Sequence, residues 1–338
     1  MKLVVFNTSK QERSHFESLR ASRGWQVLLF EDRLTPEFDL PAEARDAEAI
    51  AVFVNNVVNS ETLAKFPNIK VVATRSTGYD HIDVEECRRR SISVYTVPDY
   101  GNITVAEYTL GLILALLRRV RPMIEQSLHG LFSRENLRGN DLAGKTVGVI
   151  GTGKIGKEVA RRLAAFSVKL LAFDKYPDEA FARETGSMQY VDLETLYRSS
   201  SVLTFHVPLS AETHHIFNRR SLNLVGWNTF LVNTSRGPVV ETEAIIEGLR
   251  EGRLAAVALD TFESEEVMME EQFLVADQLS QSAMRNALAT YQLLRSDRVI
   301  LSPHNAYNTE EALQRIIDTT IANLDAYLAK QISPNRLV

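Results

Sequence analysis

Short apolar runs alternate with longer amphipathic stretches along the first third of the chain. The runs of strand length are Leu3–Phe6, Gln26–Phe30, Ala49–Val54, Ile69–Thr74 and Ser93–Tyr95. A helical stretch follows the first run and continues to about Arg23, where Gly24 interrupts it. Short apolar strands that alternate with helices predict a parallel sheet covered by helices on both faces.

The same alternation restarts past Asn140. The predicted strands there are Lys145–Ile150, Val168–Phe173, Ser201–Val207, Thr229–Asn233, Ala255–Leu259 and Arg298–Leu301. The last helix, Glu310–Lys330, comes too late for this second sheet, so we expect it to return to the first domain. The predicted fold class is α/β, with two doubly wound parallel-sheet (Rossmann- or flavodoxin-like) domains. A discontinuous first domain, 1–101 and 305–338, would bind substrate, and 102–304 would bind the cofactor. A length of 338 residues also favours two domains.

Two segments stand apart from this alternation. Ile103–Arg119 is a predicted helix that is apolar nearly all round, and such a helix must be buried on several sides. We expect it to lie between the domains and in a subunit interface, and it therefore predicts a homodimer. Ser264–Asp297 is long for a connection between strands. Helices that pack on the core are expected there, in preference to a lid.

The composition is that of a soluble globular enzyme, with 45% hydrophobic and 24% charged residues. A net charge of −5 argues against a nucleic-acid partner. The single cysteine, Cys87, excludes an internal disulfide and fits a reducing compartment. Met1 leads directly into a strand, and no apolar run is longer than Leu112–Leu117, which is far shorter than the roughly 20 residues of a membrane helix. We therefore expect no signal peptide, no membrane partner and a cytoplasmic location.

A glycine-rich turn follows the strand Lys145–Ile150. Gly151 permits the tight turn, Gly153 allows the backbone to approach a pyrophosphate, and Gly156 allows close packing of helix and strand. The helix N-terminus adds a partial positive charge for the phosphates. Asp174 follows Gly156 by 18 residues (174 − 156) at the end of the next strand. Its carboxylate can bind an adenosine ribose and repel a 2′-phosphate, so the pattern predicts NAD in preference to NADP. The alternative is a strand–helix–strand unit whose glycines are incidental and bind no cofactor.

Three residues of complementary chemistry, Arg236, Glu265 and His304, come at or just past predicted strand ends. Ligand sites of doubly wound sheets lie at the carboxyl ends of the strands, so the three are expected to converge. An arginine can hold a substrate carboxylate with a planar fork, and a histidine can give a proton near neutral pH. A carboxylate on the other imidazole nitrogen would fix the ring. Singly, each has an alternative: a surface-loop arginine, a solvated acid and a helix-entry histidine.

Six stretches, spread in order through most of the chain, resemble the D-isomer-specific 2-hydroxyacid dehydrogenases, especially the D-lactate dehydrogenase branch. They are ATRSTGYDHID (Ala73–Asp83), VPDYGNITVAEYTLGLILAL (Val97–Leu116), VIGTGKIG (Val149–Gly156), NTSRGPVV (Asn233–Val240), ALDTFESE (Ala258–Glu265) and SPHNAYNT (Ser302–Thr309). The resemblance implies that Arg236, Glu265 and His304 are the catalytic residues.

Further site residues are expected in view of this resemblance. The expected cofactor contacts are Gly151, Gly153, Lys154, Ile155, Gly156, Asp174, Val207, Pro208, Thr234 and Asp260. The expected substrate contacts are Arg75, Thr77, Gly78, Tyr100, Arg236 and His304. The resemblance implies that Asp260 sits near the nicotinamide carboxamide and that the backbone at Thr77 and Gly78 binds the substrate carboxylate. Arg75 either adds positive potential or forms a structural ion pair. No metal is expected, and His214–His215 is interpreted as a surface loop.

The predicted function is the NAD-dependent, reversible reduction of a small, pyruvate-like 2-keto acid to the D-2-hydroxy acid, with His304 as the general acid and base. The substrate side chain stays open, because Asn55–Asn59, which is expected to face it, is polar and contains three asparagines. One alternative is a formate dehydrogenase-like enzyme, but in that family the histidine pairs with Gln, and here Glu265 is expected. The other is an NADH-sensing corepressor-like binding protein, which the acidic, compact chain disfavours.

Overall fold

The computed structural model describes residues 1–263, 265 and 281–338, and for 281–287 it describes the backbone alone. The chain forms two compact units, Met1–Tyr100 with Asn308–Val338, and Gly101–Tyr307. The first boundary falls one residue before the predicted end at 101, and the second three residues after the predicted restart at 305. Part of the predicted 264–297 segment, namely 264 and 266–280, lies outside the described residues.

Five strands of the first unit form a parallel sheet with the order β2-β1-β3-β4-β5. The strands are β1 (Lys2–Val5), β2 (Gln26–Leu29), β3 (Ala49–Val52), β4 (Val71–Thr74) and β5 (Ser93–Tyr95). The helices described in this unit are α1 (Lys10–Arg23), α2 (Ser60–Ala64), α3 (Val84–Arg89) and α12 (Glu310–Leu328). Every residue of β3 and β4 is buried, as expected for central strands covered on both faces.

Local chemistry sets the ends of α1. Ser9 and Glu12 form a reciprocal capping box at its start, and Gly24 ends it in the left-handed conformation (φ 65°). Such an N-cap stabilises a helix by about 1 kcal/mol. At the other end of the chain, α12 packs on this unit, because Leu324 is fully buried in one cluster with Leu3.

Seven strands of the second unit form a parallel sheet with the order β12-β11-β10-β9-β6-β7-β8. The strands are β6 (Thr146–Ile150), β7 (Lys169–Phe173), β8 (Met188–Tyr190), β9 (Val202–Phe205), β10 (Thr229–Asn233), β11 (Leu254–Leu259) and β12 (Val299–Leu301). The described helices are α4 (Asn102–Leu117), α5 (Val120–Leu128), α6 (Lys154–Ala164), α7 (Glu179–Thr185), α8 (Leu193–Ser199), α9 (Arg219–Leu222), α10 (Thr242–Glu251) and α11 (Gln281–Leu294). The strand order reverses between β6 and β9, which is where a doubly wound sheet binds its ligand. The predicted fold class is confirmed.

The apolar helix α4 buries one face inside the second unit. Thr109, Ile113 and Leu116 are among its buried residues, and the helix packs against α6 and β10. Ile103, in contrast, is 54% exposed. The expectation that α4 lies between the domains and in a subunit interface stays a prediction. No described helix has the length and apolarity that a membrane span requires.

Candidate active site

The glycine turn brings the start of α6 against the end of β6. Gly151 has φ 93°, a conformation that favours glycine. A Cβ on Gly156 would lie 2.0 Å from the carbonyl oxygen of Gly151, so a side chain there would push the helix away. A Cβ on Gly153 would meet nothing within 4 Å, and no side chain caps the helix. The helix N-terminus is therefore open to a phosphate group.

Asp174 lies beside this turn, just past the end of β7. One carboxylate oxygen accepts the backbone N–H of Thr152 at 2.6 Å and its hydroxyl at 3.2 Å. The other accepts the N–H of Tyr176 at 2.8 Å. A carboxylate has about four acceptor positions, so capacity remains for a ribose hydroxyl. An open helix N-terminus next to a fixed carboxylate fits a dinucleotide, whose pyrophosphate and ribose the two features would hold.

The backbone just past the end of β9 packs against the glycine turn. A Cβ on Gly151 would lie 2.7 Å from the carbonyl carbon of His206, whose Nε2 is 2.9 Å from the Thr204 hydroxyl. His206 Nδ1 is buried, and it has no partner within the described residues. Burial lowers the pKa of His206 to about 3, so the imidazole is neutral. Val207 and Pro208, two of the predicted cofactor contacts, come directly after His206 in the sequence.

The remaining predicted cofactor contacts occupy the start of α6 and the end of β10. Ile155 packs against the core beneath α6, whereas Lys154 is exposed. Thr234 is buried, and its hydroxyl lies 2.8 Å from that of Thr109 in α4. This hydrogen bond between Thr234 and Thr109 connects the end of β10 with α4. Contact of these residues with the cofactor stays a prediction.

His304 and Glu265 are hydrogen-bonded. The His304 Nδ1 atom lies 3.1 Å from Glu265 Oε1, and the two side chains are 23% and 22% exposed. His304 has a left-handed backbone (φ 51°), and its N–H donates to the carbonyl of Asp260 at 2.9 Å. Its Nε2 has no hydrogen-bond partner in the described part of the chain. One ring nitrogen is thus held by a carboxylate, and the other can face a ligand.

Asp260 is fully buried, and it organises the segment that carries His304. One of its carboxylate oxygens accepts the hydroxyl of Ser302 at 2.6 Å and the N–H of Asn305 at 2.8 Å, and the other accepts the N–H of Ala306 at 2.9 Å. These bonds fix residues 302–306 on both sides of the histidine. A contact between Asp260 and the nicotinamide stays a prediction.

Arg236 is carried on a turn that Asn233 shapes. Asn233 is fully buried, and its amide donates to the carbonyl of Arg236 at 2.9 Å. Its side-chain oxygen accepts the N–H of Ser235 at 3.1 Å and the hydroxyl at 2.8 Å. Arg236 is half-buried, with Nη1 donating to the carbonyl of Ser235 at 2.9 Å. The sequence analysis missed Asn233, although a polar residue that ends an apolar strand was a signal.

Arg75, in the first unit, forms the structural ion pair that the sequence left open. Its guanidinium is 1% exposed, pairs with Glu12, and donates to the carbonyls of Phe6 and Asn7. Breaking such a pair by removing one partner would leave a buried charge and cost several kcal/mol. The guanidinium thus already has structural partners inside the first unit. A role for Arg75 in substrate binding stays a prediction.

The loop after Arg75 holds two further predicted substrate contacts. The Thr77 hydroxyl donates to the carbonyl of Val97 at 2.9 Å, and the Ser76 hydroxyl donates to that of Gly78 at 2.6 Å. These bonds fix the loop. Tyr100, the last predicted contact, is half-buried at the end of the first segment of this unit.

Two of the three asparagines in the segment Asn55–Asn59, which is expected to face the substrate, have structural roles. Asn56 is buried and bonds to the backbone of Leu34 (2.7 Å) and Phe53 (2.8 Å). Asn59 caps α2. Both side chains thus bond to local backbone groups, and the expectation that the segment Asn55–Asn59 faces the substrate stays a prediction. Asn55 is half-buried.

His214 and His215 lie in a loop, and His215 makes a contact that the sequence did not suggest. The backbone there is a loop and His214 is exposed, but His215 Nε2 lies 2.8 Å from Glu263 Oε1. Within the described residues, no group of three or more His, Cys, Asp or Glu side chains could hold a metal ion. Cys87 is buried in α3, and burial raises its thiol pKa to about 11.

Comparison with known proteins identifies the family. Residues 110–306 match the model of the D-isomer specific 2-hydroxyacid dehydrogenase, NAD binding domain. The chain belongs to the D-isomer-specific 2-hydroxyacid dehydrogenases. It is 33% identical to the D-lactate dehydrogenase of Escherichia coli (strain K12) over 340 residues, which cover 100% of both proteins. It is 35% identical to the glyoxylate reductase of Thermofilum pendens over 300 residues, which cover 88% of this chain and 83% of the other.

A solved structure supports the same identification. The D-lactate dehydrogenase from Aquifex aeolicus, complexed with NAD and lactic acid, aligns with a TM-score of 0.88 and 31% identity over 99% of each chain. The predicted family and cofactor are confirmed. This dehydrogenase is an NAD-dependent enzyme that acts on D-2-hydroxy acids.

Proposed function

We propose that this dehydrogenase reversibly reduces a small, pyruvate-like 2-keto acid to the D-2-hydroxy acid, with His304 as the general acid and base. The observation that carries the proposal is the 3.1 Å contact between His304 Nδ1 and Glu265 Oε1, which leaves Nε2 for a substrate. The pairing also disfavours the formate dehydrogenase-like alternative, in which the histidine would pair with Gln.

Glu265 orients the imidazole of His304 in this proposal. A carboxylate on Nδ1 keeps a proton there, which fixes the tautomer and the ring and stabilises the imidazolium. When bound, NADH supplies the hydride for the keto carbon. In reduction, protonated Nε2 donates its proton to the carbonyl oxygen, and in oxidation neutral Nε2 accepts the hydroxyl proton. General acid–base catalysis of this kind contributes about 10²- to 10⁴-fold to the rate.

Arg236 holds the substrate carboxylate and polarises the carbonyl. A guanidinium stays charged at all working pH and presents a planar fork that matches a carboxylate. The turn fixed by Asn233 limits the freedom of the backbone from which this side chain extends. Thr77, Gly78 and Tyr100 of the first unit remain proposed contacts of the substrate.

The names of the relatives support a small substrate. One is called a D-lactate dehydrogenase and another a glyoxylate reductase, and both names refer to acids of two or three carbons. We therefore expect pyruvate to be the preferred keto acid, with glyoxylate as the second candidate.

A panel of keto acids tests this proposal. Glyoxylate, pyruvate, 2-oxobutyrate and phenylpyruvate are each supplied with NADH, the absorbance of NADH is followed, and the chirality of the product is determined. We expect the highest kcat/KM with pyruvate and a D-configured product. An L-configured product would contradict the proposal, as would NADH binding without oxidation by any acid, which the corepressor-like alternative predicts.

A further inference from the structure

A second histidine–carboxylate pair lies close in sequence to the first. His215 Nε2 is 2.8 Å from Glu263 Oε1, and Glu263 precedes Glu265 by two residues. The second oxygen of Glu263 accepts the backbone N–H of Thr242, the first residue of α10, at 2.8 Å. A carboxylate at a helix N-terminus is favoured by the helix dipole. Glu263 is therefore fixed at both oxygens, and its side chain is only 12% exposed.

His215 provides a rigid anchor for this pair. Its backbone is left-handed (φ 50°), its N–H donates to the carbonyl of Pro238 at 2.8 Å, and its carbonyl accepts the amide of Asn218 at 2.7 Å. Two residues later, Phe217 forms a parallel bridge with Val240. The loop that carries His215 is thus bonded to the segment that directly follows Arg236.

The backbone after Arg236 also packs directly against the backbone before Glu265. A Cβ on Gly237 would lie 2.3 Å from the carbonyl oxygen of Phe262 and 2.8 Å from the nitrogen of Glu263. Only a glycine permits this approach. The His215–Glu263 pair therefore lies where the segments that carry Arg236 and Glu265 meet.

Within the part of the chain that the structure describes, the local hydrogen bonds of Glu265 to Phe262 are long. Its N–H donates to the carbonyl of Phe262 at 3.3 Å, and its Oε2 accepts the N–H of Phe262 at 3.4 Å. Both distances exceed the usual range of about 2.7–3.2 Å for N–H···O bonds. The two bonds of Glu263 are each 2.8 Å and involve a carboxylate, and such bonds are roughly twice as strong as neutral ones. Among the described residues, the two bonds of Glu263 are thus the shortest hydrogen bonds that hold residues 262, 263 and 265.

We propose that His215 and Glu263 are positioning residues for the reaction: their pair fixes the segment that carries Glu265 and so holds His304 in its productive orientation. This inference rests on the proposed function, because it requires Glu265 and His304 to act there. A displacement of about 1 Å in a catalytic constellation can cost about 100-fold in rate. Losing the pair should therefore lower kcat.

The test compares His215→Ala, Glu263→Ala and the double variant, with pyruvate and NADH as the substrates. We expect each single variant to lower kcat by about 10- to 100-fold while the Kd for NADH stays close to that of the parent. The Tm should fall modestly, and more in Glu263→Ala, which also loses the bond to the Thr242 N–H. Because the two residues act as one unit, the double variant should lose no more than the worse single variant. His215→Gln, which can still donate to Glu263, should recover most of the kcat.

Glu212→Ala is the matched control. Glu212 lies on the same loop and pairs with Lys175, but both side chains are more than half exposed, so removing this pair should change nothing measurable. An unchanged kcat in His215→Ala and Glu263→Ala would overturn the inference. A joint fall of kcat, NADH affinity and Tm without rescue by His215→Gln would also overturn it, because the pair would then be merely structural.

The His304→Ala variant separates this inference from the proposed function. Loss of turnover in His304→Ala with full kcat in the His215 and Glu263 variants would refute the positioning role alone. Full turnover in His304→Ala would refute the proposed function, and the positioning of His304 with it.

Discussion

The Asp260 carboxylate accepts the backbone N–H of Ala306 at 2.9 Å, across 46 residues of sequence. In an Asp260→Asn variant, the side-chain NH₂ group would replace one carboxylate oxygen. It would then face at least one of the three groups that now donate to Asp260, and that group would lose its acceptor. A buried, unsatisfied group costs about 1–3 kcal/mol. We expect Asp260→Asn to lower the free energy of unfolding by that amount. It should also lower kcat, because His304 would be held less firmly. Denaturant unfolding and steady-state kinetics measure the two effects, and no change in either would refute the role of Asp260 in fixing His304.

Cofactor choice should depend on Asp174. Asp174→Asn removes the charge that would repel a 2′-phosphate but keeps one acceptor for Thr152, so the NADH:NADPH ratio of kcat/KM should fall by at least about 10-fold, or 1.4 kcal/mol. Asp192→Asn, which retains a residue type suited to cap α8, is the control. An unchanged ratio in Asp174→Asn would show that the carboxylate does not select the cofactor.

Stability should fall in acid because of His206. Its pKa is depressed from 6.5 to about 3 by burial, so the native state stays neutral while the unfolded chain takes up a proton below pH 6.5. The unfolded state then binds more protons, and stability is lost as pH falls from 6.5 towards 3. The contribution is at most about 1.4 kcal/mol per pH unit.

Denaturant unfolding of His206→Gln between pH 7 and 4 checks the contribution of His206. We expect a shallower pH dependence than that of the parent. His129→Gln, which removes an exposed histidine, should keep the parental slope. Equal slopes in the parent and His206→Gln would show that His206 is not held neutral.

A homodimer is expected from the exposed apolar side chains in and after α5. Leu128 is 80% exposed and Phe132 is 87% exposed, and patches of this kind commonly mark protein contacts. Sedimentation at micromolar concentration should give the mass of two chains, and Leu128→Glu with Phe132→Glu should shift it towards one. A single-chain mass for the parent protein would contradict the expectation.

Much of the fold was predictable because central parallel strands are buried on both faces and are therefore continuously apolar. Val71–Thr74 and Thr229–Asn233 are entirely buried; the first was predicted as Ile69–Thr74 and the second with these bounds. The edge strand Met188–Tyr190 was missed because it has three residues, of which only Met188 is buried. Such a strand has no apolar run for a sequence pattern to detect.

The candidate site was predictable where the geometry of the sheet constrains it. His304 and Glu265 were expected to meet because strand ends in a parallel sheet converge, and their 3.1 Å contact agrees with this rule. His215 and Glu263 were not expected to pair. Their contact spans 48 residues and depends on a left-handed residue in a loop, which periodicity does not reveal.

The most direct test of the account is the rate of hydride transfer in a single turnover of His304→Ala at saturating NADH and pyruvate. Removal of the proton donor should lower this rate by at least about 100-fold, while the Kd for NADH stays unchanged. A rate within about threefold of the parent would contradict the assignment of His304 as the acid.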